Sequence, residues 1–186
     1  CETLKFNLEQ QDFNLTAEDV LIPNRESKFL LNYKNMDSAF VKVVKFDSEK
    51  GYRWSSEKLY RTLRKTQAQY ETAVQLTDPK DYNMHSIELG LPKLESGYYY
   101  LMVSSDGTFN EKSGGMLVSS FWVSNITHQS RKNGRYNEVM VSDRLTGKPL
   151  VGAKVTVSYE KYNYKLSRYE TKDIGTFTAD EQGRIS

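Results

Sequence analysis

Two histidines, His85 and His128, and a single cysteine, Cys1, are the side chains of this 186-residue sequence suited to nucleophilic or metal chemistry. Nucleophilic catalysis needs a nucleophile, a base within hydrogen-bond reach and a group that orients the base. His85 is followed by Ser86, but neighbours on a strand point to opposite faces, so the pair does not make a dyad. His128 stands in a polar stretch, and no second histidine or cysteine lies at metal-ligand spacing from either. Asp143, Asp173 and Asp180 lack the spacing of a calcium loop. Gly114-Gly115 sits between strand patterns and not before a helix, so it is no phosphate loop. The sequence therefore predicts no catalytic residue, no metal site and no cofactor.

A lone cysteine excludes a disulfide framework and a multi-thiolate metal site. At the first position it has two readings. It is the lipidated first residue of a mature bacterial lipoprotein, or a cut point inside a longer protein. Aromatic residues offer a different chemistry, the stacking of sugar rings. Trp54, Tyr162, Tyr164 and Tyr169, with Tyr98 and Tyr100, are the candidates for such a surface. Strand tyrosines also pack against their cross-strand neighbours, which is the competing reading.

Net charge is +2, from 26 basic and 24 acidic residues. That balance gives no electrostatic drive toward nucleic acid. No apolar run approaches the length of a membrane-spanning helix. A hydrophobic share of 38% is enough for a buried core.

The elements that would position these residues read mainly as strands. Leu4, Phe6 and Leu8 alternate with polar residues, predicting a first strand. Val20-Leu21-Ile22 ends at Pro23-Asn24. Phe29–Tyr33 and Phe40–Phe46, joined by Lys34-Asn35-Met36-Asp37, predict an antiparallel hairpin. Between Ser56 and Leu76 the period changes. Leu59, Leu63, Tyr70 and Val74 fall at helical spacing after a Ser-Ser-Glu start, predicting one helix over about 56–76 with a basic, solvated outer face. Strand patterns resume at His85–Leu89, Tyr98–Val103 and Met116–Val123. A second unit starts near Asn125, with a polar stretch from His128 to Asn137 and strands at Val139–Val141, Ala153–Tyr159, Tyr164–Tyr169, Gly175–Thr178 and Arg184–Ser186. The expectation is an all-β chain of two tandem immunoglobulin-like antiparallel sandwiches, residues 1–124 with a helical insertion and residues 125–186 as a unit truncated at its C-terminus. A truncated sandwich leaves a sheet edge open to pairing with another chain.

The stretches VLIPNRESKFLLNYKNMDSAFVKVVKF, SIELGLPKLESGYYYLMVSS, FWVSNI and VMVSDRLTGKPLVGAKVTVS, followed by TADEQGRIS, resemble the macroglobulin-domain array of bacterial alpha-2-macroglobulin-like proteins. The first half carries more of the resemblance, because TGKPLVGAKV also recurs in other β-sandwich domains. The resemblance implies a periplasmic or surface-exposed protein of the bacterial cell envelope, secreted, with lipid anchoring through Cys1 left open, that traps proteases. A bait segment is cleaved, the array rearranges, and an internal thioester often reacts. The thioester motif joins a cysteine to a glutamine across a Gly-Glu pair. Here Cys1 is followed by Glu2-Thr3-Leu4, so this segment lacks the motif. The implied role is non-catalytic scaffold, with the other domains of the same long chain and the target protease as partners. The alternative from the residues is a cell-surface adhesin or carbohydrate-binding module.

Overall fold

A computed structural model describes residues 2–48, 54–110, 115–133 and 136–185. Cys1 lies outside the described residues. The chain divides into two compact units, Cys1–Ser124 and Asn125–Ser186. Both are built from antiparallel sheets, and the fold is mainly β.

In the first unit, β1 (Asp12–Thr16), β3 (Ser27–Lys34) and β6 (His85–Leu91) form one sheet in the order β1-β3-β6. A five-stranded sheet runs β2 (Val20–Leu21), β8 (Met116–Val123), β7 (Gly97–Ser104), β4 (Ser38–Phe46) and β5 (Tyr70–Gln75). Its pairs are antiparallel except the short β2–β8 contact. Alternate residues of both sheets meet in one core. Phe29, Leu31 and Tyr33 of β3 and Leu89 and Leu91 of β6 face Ala39, Val41 and Val43 of β4, Tyr99, Leu101 and Val103 of β7, and Phe121 and Val123 of β8. That is a sandwich, its inner faces read as period two.

The intervening residues of the five-stranded sheet are not all exposed. Val44 and Met102 are fully buried in a second apolar cluster with Phe109 and Leu63. Leu63 belongs to α2 (Ser56–Lys65), which covers the outer face of β4 and β7. Strands buried on both sides read as continuous apolar runs, which explains Phe40–Val44 and Tyr98–Val103.

The structure differs from the expected elements at five places. Leu4–Leu8 is not a strand but part of helix α1 (Glu2–Glu9). Its Phe6 and Leu8 are exposed, Phe6 by 66%, so these two face no sheet. The Asn35 amide donates to the Leu8 and Gln10 carbonyls at 2.7 and 3.1 Å, satisfying acceptors a helix end leaves open. β3 and β4 do not form a hairpin. Asn35 takes a left-handed φ of 56° and Met36 drops into the core, so the chain passes from one sheet to the other. The expected helix over 56–76 stops at Lys65, and 70–75 is strand β5 paired with β4. Tyr70 and Val74 are four apart, a spacing that satisfies both a helical and a period-two pattern, and the strand wins because Tyr70, Thr72 and Val74 bury one face of the sheet's edge.

The last two differences lie in the second unit. The polar stretch from His128 is strand β9 (Ile126–Asn133), paired along its length with β10 (Tyr136–Asp143). β13 (Arg184–Ile185) adds to the other side of β10. β11 (Lys154–Asn163) and β12 (Arg168–Thr178) form a separate two-stranded ribbon, with residues 164–167 as its turn and not a strand. The core is small: Val141, Ala179 and Ile185, flanked by Val139, Leu150, Ala153 and Val155. Gly183, at φ 72°, is required where it stands, since a Cβ there would meet the Val141 carbonyl oxygen at 2.4 Å.

Candidate functional site

His85 and Ser86 have separate partners. His85 Nε2 lies 2.9 Å from Asp81 Oδ1, and its ring tilts against Tyr33 at 5.9 Å. Ser86 Oγ donates to Asn32 Oδ1 at 2.6 Å across the β3–β6 pair. Asp81 also accepts from the Asn83 backbone N–H at 2.9 Å, and with the His85 contact this holds its carboxyl down at about 2. The group acts as a clip on the 78–85 loop, where Lys80 and Tyr82 both have left-handed φ. His128 is exposed on β9.

The aspartates are occupied by turns. Asp143 Oδ1 accepts from the N–H groups of Leu145 and Thr146 and from the Thr146 hydroxyl, and the Asn125 amide donates to its other oxygen. The Thr146 N–H is the largest influence lowering the Asp143 carboxyl. Asp180 Oδ1 accepts from the N–H groups of Gln182 and Arg184. Among the described residues no group of three His, Cys, Asp or Glu side chains converges on a point that would hold a metal ion.

The predicted aromatic surface falls into two parts. Tyr162 and Tyr169 are cross-strand partners at the tip of the ribbon, ring centroids 5.1 Å apart, and Tyr164 meets Tyr162 edge-on at 5.1 Å. Tyr164 is 86% exposed. These rings pack on one another as cross-strand pairs do. Trp54 belongs to the first unit and is half-buried against Phe46 at 5.8 Å. From there a row of rings crosses the outer face of the five-stranded sheet: Phe46 to Tyr100 at 5.4 Å, Tyr100 to Tyr98 at 5.4 Å, Tyr98 to Trp122 at 4.8 Å. Burial pushes the Tyr100 phenol up to about 12, with its hydrogen bond to Tyr98 adding to the shift. Trp122 was legible only by parity: it alternates with Phe121 and Val123, which face the core.

A second feature escaped sequence reading. Lys42 is buried on β4, and its ammonium donates to the Arg64 carbonyl at 2.9 Å. A cation there satisfies an open acceptor and complements the negative end of α2. It ties the helix to the sheet, leaving the helix's polar side outward.

In the first unit an open groove of about 500 Å³ runs beside β3, lined in part by Glu18, Arg25, Lys28 and Glu88. Lys28 and Glu88 neutralise each other at 2.8 Å. Among the described residues no helix is long and apolar enough to cross a membrane.

No family profile matches the sequence, and no curated protein matches it. Solved structures do. The chain is similar to native alpha-2-macroglobulin from Escherichia coli spanning domains MG0-NIE-MG1, with TM-score 0.62 and 16% identity over 95% of this chain and 56% of that one. It is similar also to the NIE-MG1 piece of that protein, with TM-score 0.61 and 16% identity over 95% of this chain and 86% of that one. The chain thus spans about half the length of the first of these structures. At this identity the likeness establishes a shared fold.

Proposed function

We propose that this chain is a non-catalytic structural segment of a bacterial alpha-2-macroglobulin-like protein, an envelope-located protease trap. The observation that carries the reading is the likeness of fold over 95% of the chain to a two-domain stretch, NIE-MG1, of the Escherichia coli protein. The order of elements supports it, as do the turn-bound aspartates and the separate partners of His85 and Ser86. In this reading the chain spaces and holds the domains that carry the bait and any thioester. Its partners are those domains and, through the whole protein, the protease. The β11–β12 ribbon, whose outer edges are unpaired among the described residues, is the place where further strands would add.

The test uses this chain and its parent protein with an active protease. The parent should leave the protease active on a small peptide and inactive on a large protein substrate. The chain by itself should neither hydrolyse peptides nor inhibit. Peptide hydrolysis by the chain, lost in His85→Ala, would overturn the proposal.

A second reading, a carbohydrate-binding module, is favoured by the row that ends at Trp122, which is 46% exposed beside Tyr98. Glycan-array binding lost in Trp122→Ala would support it, and an array without signal would remove it.

A further inference from the structure

The outer side of α2 is basic in a way its stability does not require. Its ten residues hold Lys58, Arg61, Arg64 and Lys65 against one acid, Glu57, a net +3 where the whole chain has +2. All four cations are exposed, and none is in an ion pair among the described residues. At about 100° per residue they fall within roughly 120° of arc, opposite the stripe of Leu59 and Leu63 that seals the helix onto the sheet. Arg64 and Lys65 stand in the last turn, where a cation complements the helix dipole. Lys58 stands in the first turn and Arg61 in the middle, where it does not. Glu57 precedes Arg61 by four residues, yet the two make no ion pair. Lys58 instead places its ammonium 4.3 Å over the Trp54 ring. The packing of α2 by Leu63 and the Lys42 clamp fixes this face outward, so the four cations share the side of the helix turned away from the sheet.

We propose that this face docks on the anionic phospholipid headgroups of a membrane surface. Four exposed cations without an ion-pair partner among the described residues are the electrostatic complement of a layer of phosphates, and the half-buried indole beside Lys58 puts an amphipathic ring at the helix start. The inference goes beyond the trap scaffold and does not rest on it. A planar surface is the favoured occupant over a nucleic acid, because the cations form a short patch on one helix and the rest of the chain carries no net positive charge.

The experiment is co-sedimentation of the full chain with vesicles of phosphatidylethanolamine and phosphatidylglycerol, against neutral phosphatidylcholine vesicles. Binding should favour the anionic vesicles and fall as salt shortens the screening length. Each cation replaced by Gln should weaken binding about fivefold, and the quadruple variant K58Q/R61Q/R64Q/K65Q roughly 10²-fold or more. Arg61→Lys with Arg64→Lys should bind as the parent sequence does, because charge and not guanidinium geometry is used. Circular dichroism of the quadruple variant should be unchanged, since all four side chains are exposed. Equal binding to neutral vesicles, undiminished binding by the folded quadruple variant, or binding to RNA but not to anionic vesicles would each overturn the proposal.

Discussion

The two units solve the same problem with very different means. Among the described residues, the first places seventeen buried hydrophobic residues between two sheets and seals a further cluster under α2. The second buries three among its described residues, and its longest strands form a ribbon in which Tyr159, Ile174 and Phe177 remain exposed. The first unit is held by a core, the second by turns and cross-strand pairs. Asp143 and Asp180 tie the backbone at either end of the small core, and Thr156 and Thr176 hydroxyls meet at 2.9 Å across the ribbon. The contrast teaches that a sheet can be fully specified in register while contributing little burial. Its apolar face is then available to further structure.

The contrast is sharpened most by deleting core volume. Leu101→Ala, at a fully buried site facing β3, should cost about 2–5 kcal/mol in urea unfolding. Ile185→Ala, at the margin of the three-residue cluster, should fall near about 2 kcal/mol because its surroundings can close in. Equal losses would erase the distinction. The next effect belongs to a turn. Gly183→Ala combines a left-handed φ with a clash on the Val141 carbonyl and should cost about 1–3 kcal/mol, read as a lower melting temperature of the second unit. A smaller effect is expected at the ribbon tip, where Tyr169→Ala removes one cross-strand ring pair, about 0.2–1 kcal/mol.

The smallest effect is one of pH. Asp81 titrates in the folded protein at about 2, below the ordinary carboxylate value near 4. A lowered folded pKa gives stability that is present above the unfolded value and lost as pH falls through the folded one. The melting temperature should therefore drop between about pH 4 and about pH 2, and Asp81→Asn, which keeps the acceptor for Asn83, should flatten that part of the curve. An unaltered curve would remove the clip from the account of the 78–85 loop.

Much of the first unit was legible because its strands carry one face or two faces of apolar residues. Phe29–Tyr33 and Tyr98–Val103 show the two cases. What failed to be legible was pairing and context. Nothing in Lys34-Asn35-Met36-Asp37 distinguishes a hairpin loop from a passage between sheets, since both use a left-handed Asn. Tyr70 and Val74 fit two periods at once. Ile126–Asn133 is a strand of polar residues, and its partner β10, not its own pattern, makes it one. For the candidate surface, composition singled out Trp54 and the tyrosines. It missed Trp122, whose exposure follows from which face of β8 meets the core. It also missed Lys42, whose burial follows from where α2 ends.

The central claim is that this chain works by geometry. The most direct test replaces residues 1–186 in the parent protein with a flexible Gly/Ser linker of equal length and measures protease capture. The account predicts that the bait is still cleaved and that the protease then escapes, remaining active on large substrates. Undiminished capture by the linker variant would contradict it.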